Sequence, residues 1–445
     1  MSEAGDGSLQ LSSYEVTDVT LGERTAFSDG MLTIDKEELR ALILQSPLFE
    51  DVEIELVAPG DDVRVVHILD VVEPRIRVSD PSVDFPGIVG PIHPVGMGAT
   101  NRMSGIAVTA TLEPLPGEPT HWREAILDMG GEAAPLSGFS RLRHVMLSFK
   151  PSQAFLAEAE GDPALHNVFE GSPEVVRFKN EVRAAGMRTA MYLAETTKDR
   201  SPDRIETYER LDRVEGLPKL IYLYQMQGPR FYGQVLPRAG AMDAAAHLPL
   251  YVNPAEVLDG GLTCMSSLGG SRREYTYLMQ NHGVINEMYS RHGTEIDFLG
   301  VILCSNGDNR RSKQTLATGA AGVARYLGAE GAVLNTLGAG HPVVDVMVTC
   351  KELERHGIRT VLCLMEMQHT PGESGFTDFV PEADAIVSHG NFEEKVELPQ
   401  VSKVIGGDEI MARGFDARGP FTISVGHILS ATSSIGMGTQ RGADV

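Results

Sequence analysis

The second half of the chain alternates apolar, strand-like runs with helical patterns, and this alternation restricts the fold more than any other feature. The strand-like runs end in polar or glycine-containing loops and lie at 215–228, 295–309, 331–340, 358–367 and 383–391. Between them, apolar residues recur at helical spacing, namely Leu316, Ala320, Val323 and Leu327. The alternation predicts an α/β fold with a mostly parallel sheet and helices on both faces. Near-continuous apolar runs predict central strands through Tyr222, Leu223, Val301, Ile302, Val333 and Leu334.

Polar side chains follow these predicted strands at their carboxyl ends, where sheets of this kind place active groups. They are Cys304-Ser305-Asn306, 337–341, Glu366 and 388–391. His341 lies in GAGHP, which lacks the GxGxxG spacing and the later acidic residue of a dinucleotide site. We therefore expect no nucleotide cofactor, and His341 is either a substrate contact or an ordinary loop residue. Glu366 is a candidate proton carrier, although an ion pair with an arginine explains it equally well.

The first part of the chain has a different sequence pattern, in which predicted strands outnumber predicted helices. Residues 1–10 are polar and are predicted to be a disordered tail, and 11–150 are predicted to form a β-rich domain. Asp35 is the predicted cap of one helix over KEELRALILQ, and 85–105 is too rich in glycine and proline for a regular element. A helix over 172–187 is predicted to end before the separate run TAMYLAE at 189–195. Two α/β regions are expected to follow, at 151–266 and 267–445.

Composition narrows the functional class. The 445 residues carry a formal net charge of −23, which argues against nucleic acid or an anionic membrane as the partner. The four cysteines lack CxxC spacing or a disulfide framework, so they are predicted to be reduced thiols in a cytoplasmic protein. No cluster has the spacing of metal ligands, so no metal is expected. The first ten residues are acidic and have no apolar core, so no signal peptide is expected, and no run is long enough to span a bilayer.

One stretch, Asp259 to Gly293, concentrates reactive side chains. It holds the pair Ser266-Ser267 among four glycines and beside Cys264. Glycines allow a tight turn, in which a hydroxyl can attack the preceding carbonyl, and elimination from the resulting ester leaves a pyruvoyl group. A glycine- and serine-rich linker between two α/β layers explains the same residues, and Cys264 is a second candidate precursor.

The stretch resembles the processing region of the glycine/sarcosine/betaine reductase component B precursors. That family has a DG dipeptide, an Asn-Cys cleavage pair, a Thr-Tyr, an Asn and a closing Arg-His-Gly. Here Asp259-Gly260, Thr276-Tyr277, Asn281 and 291–293 stand in those places, and Ser266-Ser267 stands where the family has Asn-Cys. The resemblance continues through EPRIRV, FPG, a Val-Gly-x-Gly run at 95–98, and ILDMGG at 126–131, and it covers the chain from Leu9 to about Arg418.

The resemblance implies a chemistry. Such precursors split into two subunits, and the second begins with a pyruvoyl group, here derived from Ser267 after cleavage at Ser266. The ketone forms a Schiff base with the amine of glycine or a related substrate, and a thiol or selenol of a separate partner protein attacks the α-carbon and releases the amine. Thr276, Tyr277, Asn281 and His341 are expected to support substrate binding, and Glu366 to carry protons. The protein is then one member of a hetero-oligomeric complex.

Two alternatives stay open at this point. A pyruvoyl-dependent decarboxylase would use the same electron sink for C–C cleavage and would need no thiol partner. An unprocessed relative would bind an amine or serve as a scaffold without catalysis, and its chain would stay intact.

Overall fold

The computed structural model describes residues 7–79, 88–116, 118, 124–159, 172–226, 230–231, 234–235, 248–264, 270–271, 273–336, 340–368, 375–410 and 414–436. The strands of the first part of the chain are β1 Leu9–Glu15, β2 Asp18–Leu21, β3 Ala26–Ser28, β4 Met31–Ile34, β5 Phe49–Val57, β6 Val63–Val65, β7 Ile68–Val72, β8 Arg75–Arg77, β9 Gly98–Ser104, β10 Ile106–Thr111, β11 Leu127–Asp128 and β12 Arg143–Pro151. The later strands are β13 Arg204–Tyr208, β14 Lys219–Met226, β15 Arg230–Phe231, β16 Gln234–Val235, β17 Leu250–Val252, β18 Leu262–Thr263, β19 Asp297–Ser305, β20 Gly331–Thr336, β21 Arg359–Glu366, β22 Ile386–Asn391, β23 Lys395–Leu398, β24 Lys403–Ile405, β25 Glu409–Ile410, β26 Phe415–Asp416 and β27 Phe421–Ser424. The helices are α1 Lys36–Ile43, α2 Gln153–Ala159, α3 Pro173–Glu195, α4 Pro254–Glu256, α5 Thr276–Gln280, α6 Gly283–Arg291, α7 Arg310–Leu327 and α8 His341–Arg355.

A six-stranded sheet forms the centre of the second half. Its order is β17-β19-β14-β20-β21-β22, and every neighbouring pair is parallel except β17 with β19. The predicted alternation is therefore confirmed. The predicted central positions are fully buried apart from Val333, which is partly buried.

The two faces of this sheet are covered differently. Helices α7 and α8 pack on one face, against Leu223, Ile302 and Leu334. The opposite face carries Tyr224 and Val301, which share one core with residues of α5, α6 and the N-terminal strands. The α/β fold is confirmed, and its second face is covered by helices together with strands of the first half.

The first half contains two four-stranded sheets, with orders β13-β1-β9-β8 and β5-β12-β10-β7. Helices α1 and α3 share a core with them. The predicted helix cap is confirmed, because the Asp35 carboxylate accepts hydrogen bonds from the backbone N–H groups of Glu37 and Glu38.

Three expectations differ from the structure. The Ser172 side chain caps α3, and the helix continues to Glu195 through TAMYLAE, since no breaker interrupts it and its apolar face stays buried. Helix α3, which follows the predicted boundary at 150/151, packs on the N-terminal strands. Strand β1 begins at Leu9, inside the expected tail, and β9 occupies part of the expected irregular segment because it pairs with both β1 and β8.

The C-terminal part of the chain returns to the first half. Strand β24 pairs in parallel with β6, and Ile428 forms a β-bridge with Ile126. No helix in the described part of the chain combines the length and the apolar character that a membrane span requires.

Candidate active site

The chain that leads into the serine pair is fixed by buried contacts. Asn253 forms a capping box for α4, and a turn then carries the chain to Gly260, whose φ of 107° favours glycine. The buried Asp259 carboxylate accepts hydrogen bonds from Arg77, from the Gly96 N–H at 2.7 Å and from the Thr100 hydroxyl at 2.7 Å. The Asp-Gly dipeptide therefore anchors this end of the stretch to β8 and β9.

The other end is equally well anchored. The Gly270 N–H donates to the Glu124 carbonyl at 2.8 Å, and its carbonyl accepts from the Ser430 N–H at 2.9 Å. A Cβ at Gly270 would lie 2.7 Å from the Ala125 Cα, so a larger residue does not fit. The predicted precursor pair, Ser266 and Ser267, lies between these anchors and outside the described residues.

Thr276 holds the backbone next to Cys264. The buried Cys264 donates its N–H to the Thr276 hydroxyl at 2.9 Å, and that hydroxyl donates to the Asp70 carboxylate at 2.7 Å. The Thr276 N–H donates to the other Asp70 oxygen at 2.9 Å. Burial raises the pKa of Asp70 to about 6, and these hydrogen bonds oppose the shift. The contacts make Thr276 a positioning residue.

Tyr277 and Asn281 belong to the frame around this stretch. The Tyr277 ring packs edge-on against Phe139 with centroids 5.4 Å apart, and burial raises the pKa of its hydroxyl. The Asn281 amide donates to the Tyr277 carbonyl at 3.1 Å and accepts from Arg102 at 3.2 Å. Both side chains make structural contacts in this state of the chain.

Glu274 is a buried carboxyl group that the sequence analysis did not single out. It is 4% exposed, and neither carboxylate oxygen has a hydrogen-bond partner among the described residues. Burial raises the pKa of Glu274 to about 8, and the neighbouring Tyr224 hydroxyl opposes the shift. The Tyr224 hydroxyl makes no hydrogen bond of good geometry within the described part of the chain. Strongly shifted carboxyl groups of this kind concentrate at functional sites.

Two buried tyrosines, Tyr222 and Tyr224, lie near Glu274 and pack with His282. The rings of Tyr222 and Tyr224 stack with centroids 5.7 Å apart, and the His282 ring lies edge-on to both at 5.2 Å. Burial lowers the pKa of His282 to about 3, so the imidazole is neutral. Its Nδ1 accepts the Ile285 N–H at 3.4 Å, which leaves the proton on Nε2, 3.4 Å from the Tyr222 hydroxyl.

The remaining predicted residues lie at the strand ends. Glu366 is the last residue of β21 and accepts a hydrogen bond from the Ser388 hydroxyl at 2.5 Å. His341 begins α8, its side chain is exposed, and its carbonyl accepts a hydrogen bond from Lys313 at 3.4 Å. No hydrogen bond or ion pair among the described residues connects Glu366 or His341 with Glu274.

A signal for the overlooked residues was present in the sequence. The run Tyr-Leu-Tyr inside an apolar strand places the hydroxyls of Tyr222 and Tyr224 on one buried face, because side chains alternate along a strand. Glu274 follows two arginines and has the appearance of a surface residue. Glu274 comes close to the Tyr224 hydroxyl only in the folded chain.

Along the chain, buried polar atoms that have no hydrogen-bond partner among the described residues precede and follow the serine pair. Besides Glu274, they are the hydroxyls of Thr263 and Ser271. Unsatisfied groups of this kind usually indicate a catalytic role, a ligand or water. Hydroxyl and protonated carboxyl groups can donate hydrogen bonds to a carbonyl oxygen, which is the chemistry that a pyruvoyl group in this stretch would require. Within the described ranges, no group of three or more His, Cys, Asp or Glu side chains could hold a metal ion.

Comparison with known proteins identifies the family. The model of the glycine/sarcosine/betaine reductase component B subunits matches residues 8–440. The glycine reductase complex component B subunits alpha and beta of Acetoanaerobium sticklandii are 29% identical, over 96% of this chain and 97% of theirs. The betaine reductase complex component B subunit alpha of Peptoclostridium acidaminophilum is 32% identical, over 91% and 89%. The sarcosine reductase complex component B subunit alpha of the same organism is 28% identical, over 89% of each chain. No solved structure matches.

The motifs around the serine pair and this match over nearly the whole chain agree, and the chain belongs to the family of glycine/sarcosine/betaine reductase component B subunits.

Proposed function

We propose that this chain is the substrate-binding component of a reductase complex that cleaves the C–N bond of glycine or a related amine. Self-cleavage between Ser266 and Ser267 would convert Ser267 into a pyruvoyl group. When present, that carbonyl withdraws electrons from the C–N bond of the bound amine. A partner subunit that carries a thiol or selenol would complete the reaction. The observation that carries the proposal is the buried Glu274, seven residues after Ser267 in the chain, whose carboxylate has no hydrogen-bond partner of good geometry among the described residues.

Glu274 has the properties of a proton donor for the departing amine. Cleavage of the C–N bond releases a nitrogen that must take up a proton. Because the pKa of Glu274 is raised to about 8, the carboxyl group keeps its proton at neutral pH. The buried Tyr224 hydroxyl and the neutral His282 keep charge away from this side of the site. Thr276 and Asp70 fix the backbone at Cys264, three residues before Ser267.

The sheet explains how a cleaved chain would stay together. Strand β14 precedes the serine pair, whereas β19 and β20 follow it, and β14 pairs with both in parallel. The bridge between Ile126 and Ile428 also joins the two pieces. Separation would expose the most buried strands of the protein, so the pieces are expected to form one stable unit.

The cysteines support the need for a separate thiol. Cys264, Cys304 and Cys350 are buried, and Cys363 is partly buried. Burial raises the pKa of Cys363 to about 11 and also raises the pKa of Cys304 and Cys350. Because the thiolate is the nucleophile, such thiols react slowly at neutral pH. A reductive cleavage consumes two electrons, which these thiols are poorly suited to supply.

Intact-mass analysis tests the processing. We expect two pieces that together account for the 48.1 kDa chain, and a C-terminal piece that resists Edman degradation until its carbonyl is reductively aminated. Ser267→Ala should stay full-length, and the matched control Ser290→Ala, at an exposed helical serine, should be cleaved normally. An uncut wild-type chain contradicts the processing, and cleavage of Ser267→Ala would move the site towards Thr263-Cys264.

Turnover assays test the partner. The purified chain with glycine, sarcosine or betaine and dithiothreitol should be inactive until the other reductase components are added. Betaine is a useful control because its quaternary nitrogen cannot condense with a carbonyl. Formation of acetate or acetyl phosphate by the chain alone would contradict the partner requirement, and release of carbon dioxide would indicate the decarboxylase alternative.

A further inference from the structure

The parallel strands follow an order that creates a second place for a ligand. In chain order they are β14, β19, β20, β21 and β22, and their spatial order is 2-1-3-4-5. From β14 the chain continues to β19 on one side, and from β20 it continues to β21 on the other side. The carboxyl ends of the adjacent strands β14 and β20 therefore form the topological switch point of the sheet. Open α/β sheets bind ligands outside the carboxyl ends of the strands at such points. Glu274 faces the other side of the sheet, with Tyr224.

Three buried polar side chains meet at this switch point without satisfying one another. Gln225, Asn306 and Thr336 are 2%, 3% and 1% exposed. The Gln225 Oε1, both amide atoms of Asn306 and the Thr336 hydroxyl have no hydrogen-bond partner among the described residues. We refer to these three residues as the switch-point cluster.

Register places the cluster on one face of three adjacent strands. Gln225 lies directly opposite Thr336 in β20 and opposite Cys304 in β19, and Asn306 is two residues beyond Cys304. Neighbouring strands are about 4.8 Å apart, and side chains two residues apart share a face. The neighbours Leu223, Cys304 and Leu334 belong to the core beneath α7 and α8, so the cluster lies on that face.

A chain of hydrogen bonds fixes the orientation of Gln225. The Thr349 hydroxyl donates to the Asp345 carbonyl at 2.8 Å, so its oxygen is left as an acceptor. The Gln225 amide nitrogen donates to it at 3.1 Å. The Gln225 Oε1 is therefore held as an acceptor that points away from Thr349.

One buried pair of opposite charges, Lys313 and Asp345, lies near the cluster and is already balanced. Lys313 forms a buried ion pair with Asp345 and donates to the Gly307 carbonyl at 2.7 Å, while the Gly307 N–H donates to Asp345 at 2.9 Å. The amino end of α8 begins here at Gly340, without a side-chain cap. The site thus offers several acceptors, one amide donor and the positive end of a helix dipole.

We propose that the switch-point cluster is a second, non-covalent site that binds a free α-amino acid of the substrate class by both of its charged ends. The primary ammonium group donates to the Gln225 Oε1, the Asn306 Oδ1 and the Thr336 hydroxyl. The carboxylate accepts from the Asn306 Nδ2 at the amino end of α8. Only the class of its ligand rests on the proposed function, because the cluster contains no part of the serine pair, makes no covalent bond and lies on the face of the sheet opposite Glu274.

Because the cluster offers several hydrogen-bond acceptors to the ligand nitrogen, its affinity depends on how many N–H groups that nitrogen carries. Glycine has three N–H donors for the acceptors, sarcosine has two, and betaine has none. Each buried acceptor that loses its water without gaining a donor weakens binding. We therefore expect affinity to fall from glycine to sarcosine to betaine, by about tenfold for each step.

The test separates this site from the carbonyl by working in the Ser267→Ala chain, where covalent capture is excluded. Titration calorimetry should detect glycine binding there. Adding Asn306→Leu should weaken it at least about tenfold, and Thr336→Val should weaken it by a smaller factor. Thr336→Val should not lower the melting temperature, since it removes an unsatisfied hydroxyl from the core. The matched control is Thr360→Val, at the opposite end of β21, whose hydroxyl is hydrogen-bonded to Glu354. It should lower the melting temperature and leave glycine affinity unchanged.

The proposal is overturned if Ser267→Ala does not bind glycine, if the two cluster variants bind it as well as the parent does, or if betaine binds as tightly as glycine. Thr336→Val gives a readout even if Asn306→Leu fails to fold. An uncut wild-type chain would refute the proposed processing and leave this binding measurement intact, so the two failures are distinguishable.

Discussion

Two buried carboxyl groups of this protein have opposite environments, and the contrast indicates their roles. The Asp128 carboxylate receives two hydrogen bonds from Arg64, at 2.6 and 2.8 Å, and both residues are almost completely buried. The Glu274 carboxylate is just as buried, yet it has no hydrogen-bond partner within the described ranges. The paired group fixes geometry, whereas the unpaired group changes its protonation instead.

The paired region also joins distant parts of the chain. Arg64 donates to the carbonyls of Pro399, Ala417 and Gly419, at 2.7, 2.8 and 3.1 Å, and its guanidinium lies 4.8 Å from the centre of the Phe421 ring. One arginine therefore holds the C-terminal loops against β6 and β11. Among the described residues, no ion pair joins a cation to the Glu274 carboxylate, and this is consistent with chemistry rather than assembly.

The largest effect is expected when the cation is removed from the buried pair of Arg64 and Asp128, because Asp128 then resembles the unpaired carboxyl group. Arg64→Met leaves Asp128 buried and unpaired, and we expect it to lower the free energy of unfolding by about 3–5 kcal/mol. Urea denaturation measures the loss. The double variant Arg64→Met/Asp128→Leu should recover a large part of it, because an apolar pair carries no desolvation penalty. Equal losses in the single and double variants would contradict the role of the unpaired carboxylate.

A second experiment tests the unpaired site through pH. Glu274 has a pKa of about 8 in the folded chain and an ordinary value near 4.5 when unfolded. Between these values the folded state holds one more proton, so the contribution of Glu274 to stability is complete below pH 4.5 and is lost as the pH rises to 8. Glu274→Gln removes this dependence. Its stability relative to wild type should rise by roughly 1 kcal/mol per pH unit between about pH 5 and pH 8. Parallel pH profiles for the two proteins would show that Glu274 is not strongly shifted.

The smallest effect on stability is expected at an exposed ion pair, which serves as the comparison for the buried pair of Arg64 and Asp128. Arg40 contacts Asp51 at 2.8 Å, and their side chains are 38% and 50% exposed. Solvent screens this pair, so Arg40→Met should change the free energy of unfolding by less than about 1 kcal/mol. A loss as large as that of Arg64→Met would mean that pairing itself, and not burial, determines the cost.

Much of the fold could be predicted from local patterns. The strand-like runs around Tyr222 and Ile302 are long and apolar, and the Asp35 cap depends on neighbouring residues only. The predictions were wrong where contacts between distant parts of the chain determine the secondary structure. Gly98–Ser104 is a strand because β1 and β8 lie on its two sides, and neither neighbour is adjacent in sequence. TAMYLAE stays helical because its apolar residues pack on the N-terminal strands.

The candidate site was predictable only in part. The sequence directed attention to 259–293, and in the structure Asp259, Cys264 and Thr276 make buried contacts there. Glu274 gave no signal, because its unusual pKa comes from burial against Tyr224, which lies fifty residues earlier in the chain. The positions of Glu366 and His341 at strand ends predict a place at the edge of the sheet, and no hydrogen bond or ion pair among the described residues connects either of them with Glu274.

By itself, the sequence determined the α/β class, the order of the strands along the chain and the family. Each of these depends on local periodicity or on spaced motifs, which can be recognised without knowledge of the tertiary contacts. The tertiary structure alone decided which strands became neighbours, and therefore which polar groups were buried together. It buried the Glu274 carboxylate without a hydrogen-bond partner among the described residues and gathered Gln225, Asn306 and Thr336 at one edge of the sheet. The physical reason is that desolvation and pairing depend on distances in space, and these distances are set only when the whole chain has folded.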